Sequence, residues 1–84
     1  MRSIIRFGKK KLLALNDVIN LCYKTKNIRL LRATQALIYI GSPNHNYSFS
    51  EIANILSVSR KIIYNWLTDF MIGGVKWLLN DPFH

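Results

Sequence analysis

The 84-residue chain has a single cysteine and only four acidic residues. Cys22 alone cannot form an internal disulfide, and nothing in its setting points to an oxidising compartment, so a free thiol in the core is expected. His45 and His84 stand far from Cys22 and give no metal-ligand spacing, so no metal and no cofactor are assigned. The acids Asp17, Glu51, Asp69 and Asp81 offer no paired carboxylates, no nucleophile stands beside a base, and no glycine loop is built to cradle phosphate. Catalysis by this chain is therefore not expected. Long apolar runs are missing too. No stretch approaches the ~18 residues of a membrane span, and Lys9, Lys10 and Lys11 cut the N-terminal apolar stretch before signal-peptide length. The expectation is a cytoplasmic protein with no membrane association.

What is present is apolar bulk and positive charge. Half of the residues are hydrophobic and 12% are aromatic, enough for a small core without metal or disulfide support, and the length allows one domain. The formal net charge is +8, and its placement is uneven. Arg2, Arg6, Lys9, Lys10, Lys11, Lys24, Lys26, Arg29 and Arg32 face only Asp17 within residues 1–32, whereas Arg60, Lys61 and Lys76 balance Glu51, Asp69 and Asp81 further on. Such an excess points to a polyanionic partner, with the N-terminal third as its electrostatic handle.

Apolar spacing predicts an all-α chain. Residues 1–11 read as a basic arm, 12–80 as a helical domain and 81–84 as a tail. Leu12, Leu15, Val18, Ile19 and Cys22 recur at helical spacing to about Tyr23, opposite Asn16 and Asn20. Asn27 can cap a central, broadly apolar helix from Ile28 to Ile40, after which Gly41 offers a left-handed cap with Pro43 beyond. Ser48 and Glu51 form a capping-box pattern before a short helix to about Leu56. Ser59 then starts a helix with Ile63, Trp66, Leu67 and Phe70 along one face; Gly73 and Gly74 end it, and Val75 to Leu79 can add a last turn. Trp66 and Trp77 read as core residues.

Two short helices with about three residues between them make a helix-turn-helix over residues 50–67, with Ala53 at the close crossing and Ile52, Leu56, Val58 and Ile63 turned inward. The segment SEIANILSVSRKIIYNWL, residues 50–67, resembles the helix-turn-helix of bacterial insertion-sequence transposases. Phe70, Gly73, Gly74, Val75, Leu78 and Leu79 are similar to the glycine-led closing turn of Asp-Asp-Glu transposases, so the likeness covers roughly residues 28–80. Ser57 departs from it where the turn commonly has glycine, and Trp77 where the closing turn has a small residue. The resulting expectation is a small helical bundle containing a helix-turn-helix, homeodomain-like in layout, with a basic N-terminal arm. The resemblance implies binding to the terminal inverted repeats of a mobile element by a domain set apart from the catalytic one.

On a helical wheel Lys61, Tyr64, Asn65 and Thr68 point away from the core, with Arg60 and Ile62 on the rims. Asn pairs bidentately with adenine, Lys or Arg with guanine, and Ile62 can meet a thymine methyl, so Lys61, Ile62, Tyr64, Asn65 and Thr68 are the candidates for base contacts in duplex DNA. Asn65 and Lys61 rank first. Ser59 and Arg60 at the helix start, with Lys9, Lys10 and Lys11, are the candidates for the DNA backbone, and the first helices add phosphate attraction. Such a protein would sit with the nucleoid through its DNA. Two alternatives remain open: a small, usually dimeric transcriptional regulator, and a non-catalytic interaction module docking through Trp77, Leu78 and Phe83. Oligomeric state is left open. RNA is a minor option because aromatic strand motifs are missing.

Overall fold

In the computed structural model, which describes residues 6–42 and 47–80, four helices follow one another: α1 (Lys9–Thr25), α2 (Ile28–Gly41), α3 (Phe49–Leu56) and α4 (Arg60–Leu79). No strand occurs among the described residues. Pro43, Phe83 and the first five residues, including Arg2, lie outside them.

The N-terminal boundary corrects the sequence reading. Helix α1 begins at Lys9, three residues before the apolar period, so Lys9, Lys10 and Lys11 form its first turn rather than an arm. The Leu12 N–H donates to the Gly8 carbonyl at 3.1 Å. A first helical turn requires no apolar side chain of its own, which is why periodicity alone misses it. Leu15, Val18 and Cys22 are buried as their spacing requires, and burial pushes the Cys22 thiol above its ordinary pKa. Lys26 ends the helix in a left-handed conformation, at φ 57°.

Asn27 caps α2, its side chain accepting from the Leu30 N–H at 3.1 Å. Leu30, Ala33, Thr34, Ala36, Leu37 and Ile40 are all buried, and α2 packs against each of the other three helices. Thr34 is satisfied locally, donating to the Leu30 carbonyl at 2.8 Å. The central helix is thus the apolar one.

Gly41 has a different role from the one the sequence suggests. It remains helical, and the cap is Ser42 in an extended conformation, its N–H donating to Ile38 at 2.9 Å. The glycine is there because the Phe7 ring lies against its Cα, where any Cβ would collide with that ring. Phe7 donates its N–H to the Gly41 carbonyl at 3.0 Å, is buried, and sets its ring 5.4 Å from that of Phe70 on α4. One aromatic residue ahead of α1 therefore ties the end of α2 to the middle of α4.

The glycine pair interrupts α4, and the last turn that the sequence predicts after it is present. Gly74, at φ 64° and ψ −157°, holds a backbone region open essentially to glycine alone, so residues 75–79 turn off as a short terminal segment. Leu78 from that segment is fully buried and Trp77 is half-buried against the core. Trp77 and Leu78 thus pack inward, which corrects their reading as part of an exposed docking surface, while Phe83 lies outside the described residues; the side-chain-free Gly73 leaves the room Trp77 needs.

The joint at Gly41 is testable by a double-mutant cycle in thermal unfolding. Gly41→Ala alone should lower stability by about 1–3 kcal/mol through overpacking. In a Phe7→Ala background the same change should be neutral or slightly stabilising, because alanine is the better helix former by about 1 kcal/mol. Equal effects in both backgrounds would mean that the ring does not rest on Gly41.

Candidate nucleic-acid interface

The candidate base contacts lie on the first half of α4, and the placement of α4 relative to α3 is set by the three residues between them. The Ser48 hydroxyl accepts from the Glu51 N–H at 3.1 Å, while Glu51 Oε1 accepts from the Ser48 N–H at 2.8 Å, closing the capping box that starts α3. At the other end, the Val58 N–H donates to the Ala53 carbonyl at 3.0 Å and the Ser57 N–H to Asn54 at 3.3 Å. That pair of bonds is a Schellman closure, which needs a left-handed residue, and Ser57 supplies it at φ 57° and ψ 43°. Two residues on, Ser59 caps α4, its hydroxyl accepting from the Ile62 N–H at 3.2 Å. The connection has no slack.

The inner faces of the two helices meet as their spacing predicts. Ile52, Ala53, Leu56, Ile63, Leu67 and Phe70 are buried, and Val58 and Trp66 pack partly buried against them. Ala53 occupies the buried inner side of α3, where a larger side chain would have no room.

With that face turned inward, Lys61, Tyr64, Asn65 and Thr68 are exposed, and Ile62 is exposed at the rim. Ser59 and Arg60 are exposed at the helix start. Lys61, Asn65 and Thr68 follow one another at four- and three-residue steps, so they form one stripe along α4. Two of the candidates are held by neighbours on α3. The Tyr64 ring stands edge-on to Phe49 with centroids 4.6 Å apart, and Arg60 Nη1 donates to the Ser50 hydroxyl at 3.3 Å. Sequence reasoning missed both buttresses, because a contact between helix faces leaves no periodic trace. It also missed Ile72, which continues the same stripe one turn beyond Thr68 and is 83% exposed.

The three N-terminal lysines are exposed but not equivalent. Lys11 lies at the phase of Leu15, Val18 and Cys22, and its Nζ stands 5.5 Å from the Phe7 ring centroid and 5.7 Å from that of Phe70. Cation–π attraction holds this ammonium over the aromatic joint. Lys9 and Lys10 are the freer charges of the three. Among the described residues no group of three or more His, Cys, Asp or Glu could hold a metal ion, and no helix is long and apolar enough to cross a membrane.

The strained serine of the turn yields a prediction independent of any ligand. Ser57→Gly should raise stability by up to roughly 1 kcal/mol, or about 4–8 °C in Tm, since glycine adopts the left-handed conformation without a Cβ penalty. Ser59→Ala should lower it by about 1 kcal/mol through loss of the cap. A Ser57→Gly variant that melts below the original protein would argue that the turn is not left-handed at this position.

No protein-family model, no curated protein and no solved structure matches this chain.

Proposed function

We propose that this domain binds duplex DNA in a sequence-specific manner, with α3 and α4 acting as a helix-turn-helix and the outer stripe of α4 entering the major groove. The observation that carries the proposal is the outward stripe of Lys61, Asn65 and Thr68, flanked by Tyr64 and Ile62, on a helix whose opposite face is locked into the core. A side chain can discriminate bases only if its backbone arrives in a fixed register, and the Ser57 turn and Ser59 cap supply that rigidity. Asn65 and Lys61 read base edges, Thr68 and Tyr64 add polar contacts, and Ile62 meets a methyl. Ser59, Arg60, Lys9 and Lys10 contact phosphate, with Lys11 contributing field rather than a direct bond.

The net charge of +8 supports a polyanionic partner, and the likeness of residues 50–67 to transposase helix-turn-helices supports inverted-repeat DNA as the target class. The role is recognition without catalysis. A second reading, an interaction module, is favoured by one feature: beyond Thr68 the exposed face of α4 becomes apolar at Met71 and Ile72.

Selection of bound sequences from a random duplex pool tests the proposal directly. A sharp consensus is expected, whereas an interaction module would bind weakly and enrich nothing. On random duplex, neutralising about 4–6 phosphates gives a slope of log K against log salt of roughly −4 to −5, and a flat response would exclude DNA as the partner. Asn65→Ala should cost about 1–3 kcal/mol on the selected site and far less on random DNA. Equal losses on both would make Asn65 a scaffold residue.

A further inference from the structure

The turn between α1 and α2 carries cations where the fold itself is better served by other residues. Lys26 occupies a left-handed backbone position at φ 57°, a conformation that suits glycine or asparagine. Arg29 lies in the first turn of α2, where no acidic residue stands and where the helix dipole disfavours a positive charge. Arg32 follows three residues later on the same side of α2, adding like-charge repulsion to Arg29. Lys24 completes the group, and all four side chains are exposed. No Asp or Glu occurs between Asp17 and Glu51, so the sequence places no acid within a helical turn of any of them. Lys24 and Lys26 suit the negative end of the α1 dipole, but folding stability accounts neither for a lysine at the left-handed position nor for Arg29 and Arg32 in the first turns of α2.

The patch is also separate from the other cations. Helix α1 has 17 residues, so at about 1.5 Å per residue its ends lie roughly 25 Å apart. Lys9, Lys10 and Arg6 belong to the end tied to Gly41 and Phe70 through Phe7, and the turn belongs to the opposite end.

We infer that Lys24, Lys26, Arg29 and Arg32 form a second DNA-backbone contact, remote from the Lys9–Lys10 end of the helical hairpin and indifferent to base sequence. This rests on the reading of the domain as a duplex-DNA binder and deepens it. The domain then grips the phosphate backbone at two separated points, while α4 supplies the sequence preference.

The test uses the full chain carrying Lys26→Gly together with Arg29→Glu. Removal of the left-handed lysine and of the misplaced arginine should leave Tm equal to or above that of the original protein. The slope of log K against log salt should become shallower by about 2, and affinity should fall by the same factor on the selected site and on random duplex. An unchanged slope with an unchanged Tm overturns the inference, because the patch then touches no phosphate. A lowered Tm also overturns it, because the cations would then be serving the fold. If the original protein binds no duplex at all, the DNA-binding reading falls and this contact falls with it; if it binds and the double variant binds identically, only the second contact falls.

Discussion

Everything on the outer face of α4 depends on how α3 is joined to it. An eight-residue helix contributes little stability by itself, and its value lies in where it forces the next helix to start. The Schellman closure at Ala53, Asn54, Ser57 and Val58 fixes the exit from α3, and the Ser59 cap fixes the entry to α4 with one residue between those two serines. With Ile52 and Ala53 of α3 and Ile63 and Leu67 of α4 all buried in one core, the rotation of α4 about its own axis is determined. A turn of two or four residues would rotate or shift α4 as a whole and re-aim the stripe of Lys61, Asn65 and Thr68 relative to α3. The turn therefore demands a left-handed residue, and serine meets the demand at a small cost in backbone energy because its side chain is short and exposed.

A second joint holds the N-terminal half onto this pair. Phe7, Gly41 and Phe70 come from three distant parts of the chain, and their contact closes the end of the α1–α2 hairpin onto α4. The Lys11 ammonium lies over both rings, so the joint is capped by a cation. This arrangement explains how a lysine can occupy the core-facing phase of α1 without becoming a buried charge. It also divides the lysine run physically: one member belongs to the packing of the domain, and its two neighbours belong to the surface.

Much of this fold was legible beforehand, and the exceptions have a common cause. Caps at Asn27, Ser48 and Ser59 and the inward faces of α1, α3 and α4 are local signals, written within four residues of where they act. Cys22 followed from the same periodicity. What escaped were contacts between segments far apart in the chain. Gly41 looked like a cap because glycine after an apolar run usually is one, and only the approach of Phe7 from 34 positions away gives its real reason. The burial of Leu78 has no local signal, because it depends on the bend at Gly74 that folds the terminal segment back onto the core. For the candidate site the outward direction of Lys61, Tyr64, Asn65 and Thr68 was readable from the wheel. The Phe49 and Ser50 buttresses were not, since they lie on a different helix.

The composition of the α4 stripe then constrains how affinity and selectivity divide on the proposed reading. Between Arg60 and Ile72 the exposed face carries Arg60 and Lys61 as its only cations, and Asp69 beside Thr68 offsets one of them. Counterion release scales with the number of phosphates neutralised, so a face with a net charge near +1 supplies little of it. Its groups are of the kind that distinguish base edges: an amide, a hydroxyl, a phenol and a branched apolar side chain. The charge that drives association must therefore come from α1 and α2, which hold almost no acid and leave their cations exposed. Separating the two roles in this way has a physical advantage. A recognition helix crowded with cations would bind every sequence strongly and blunt the difference between right and wrong sites, whereas a nearly neutral one lets mismatched hydrogen bonds decide.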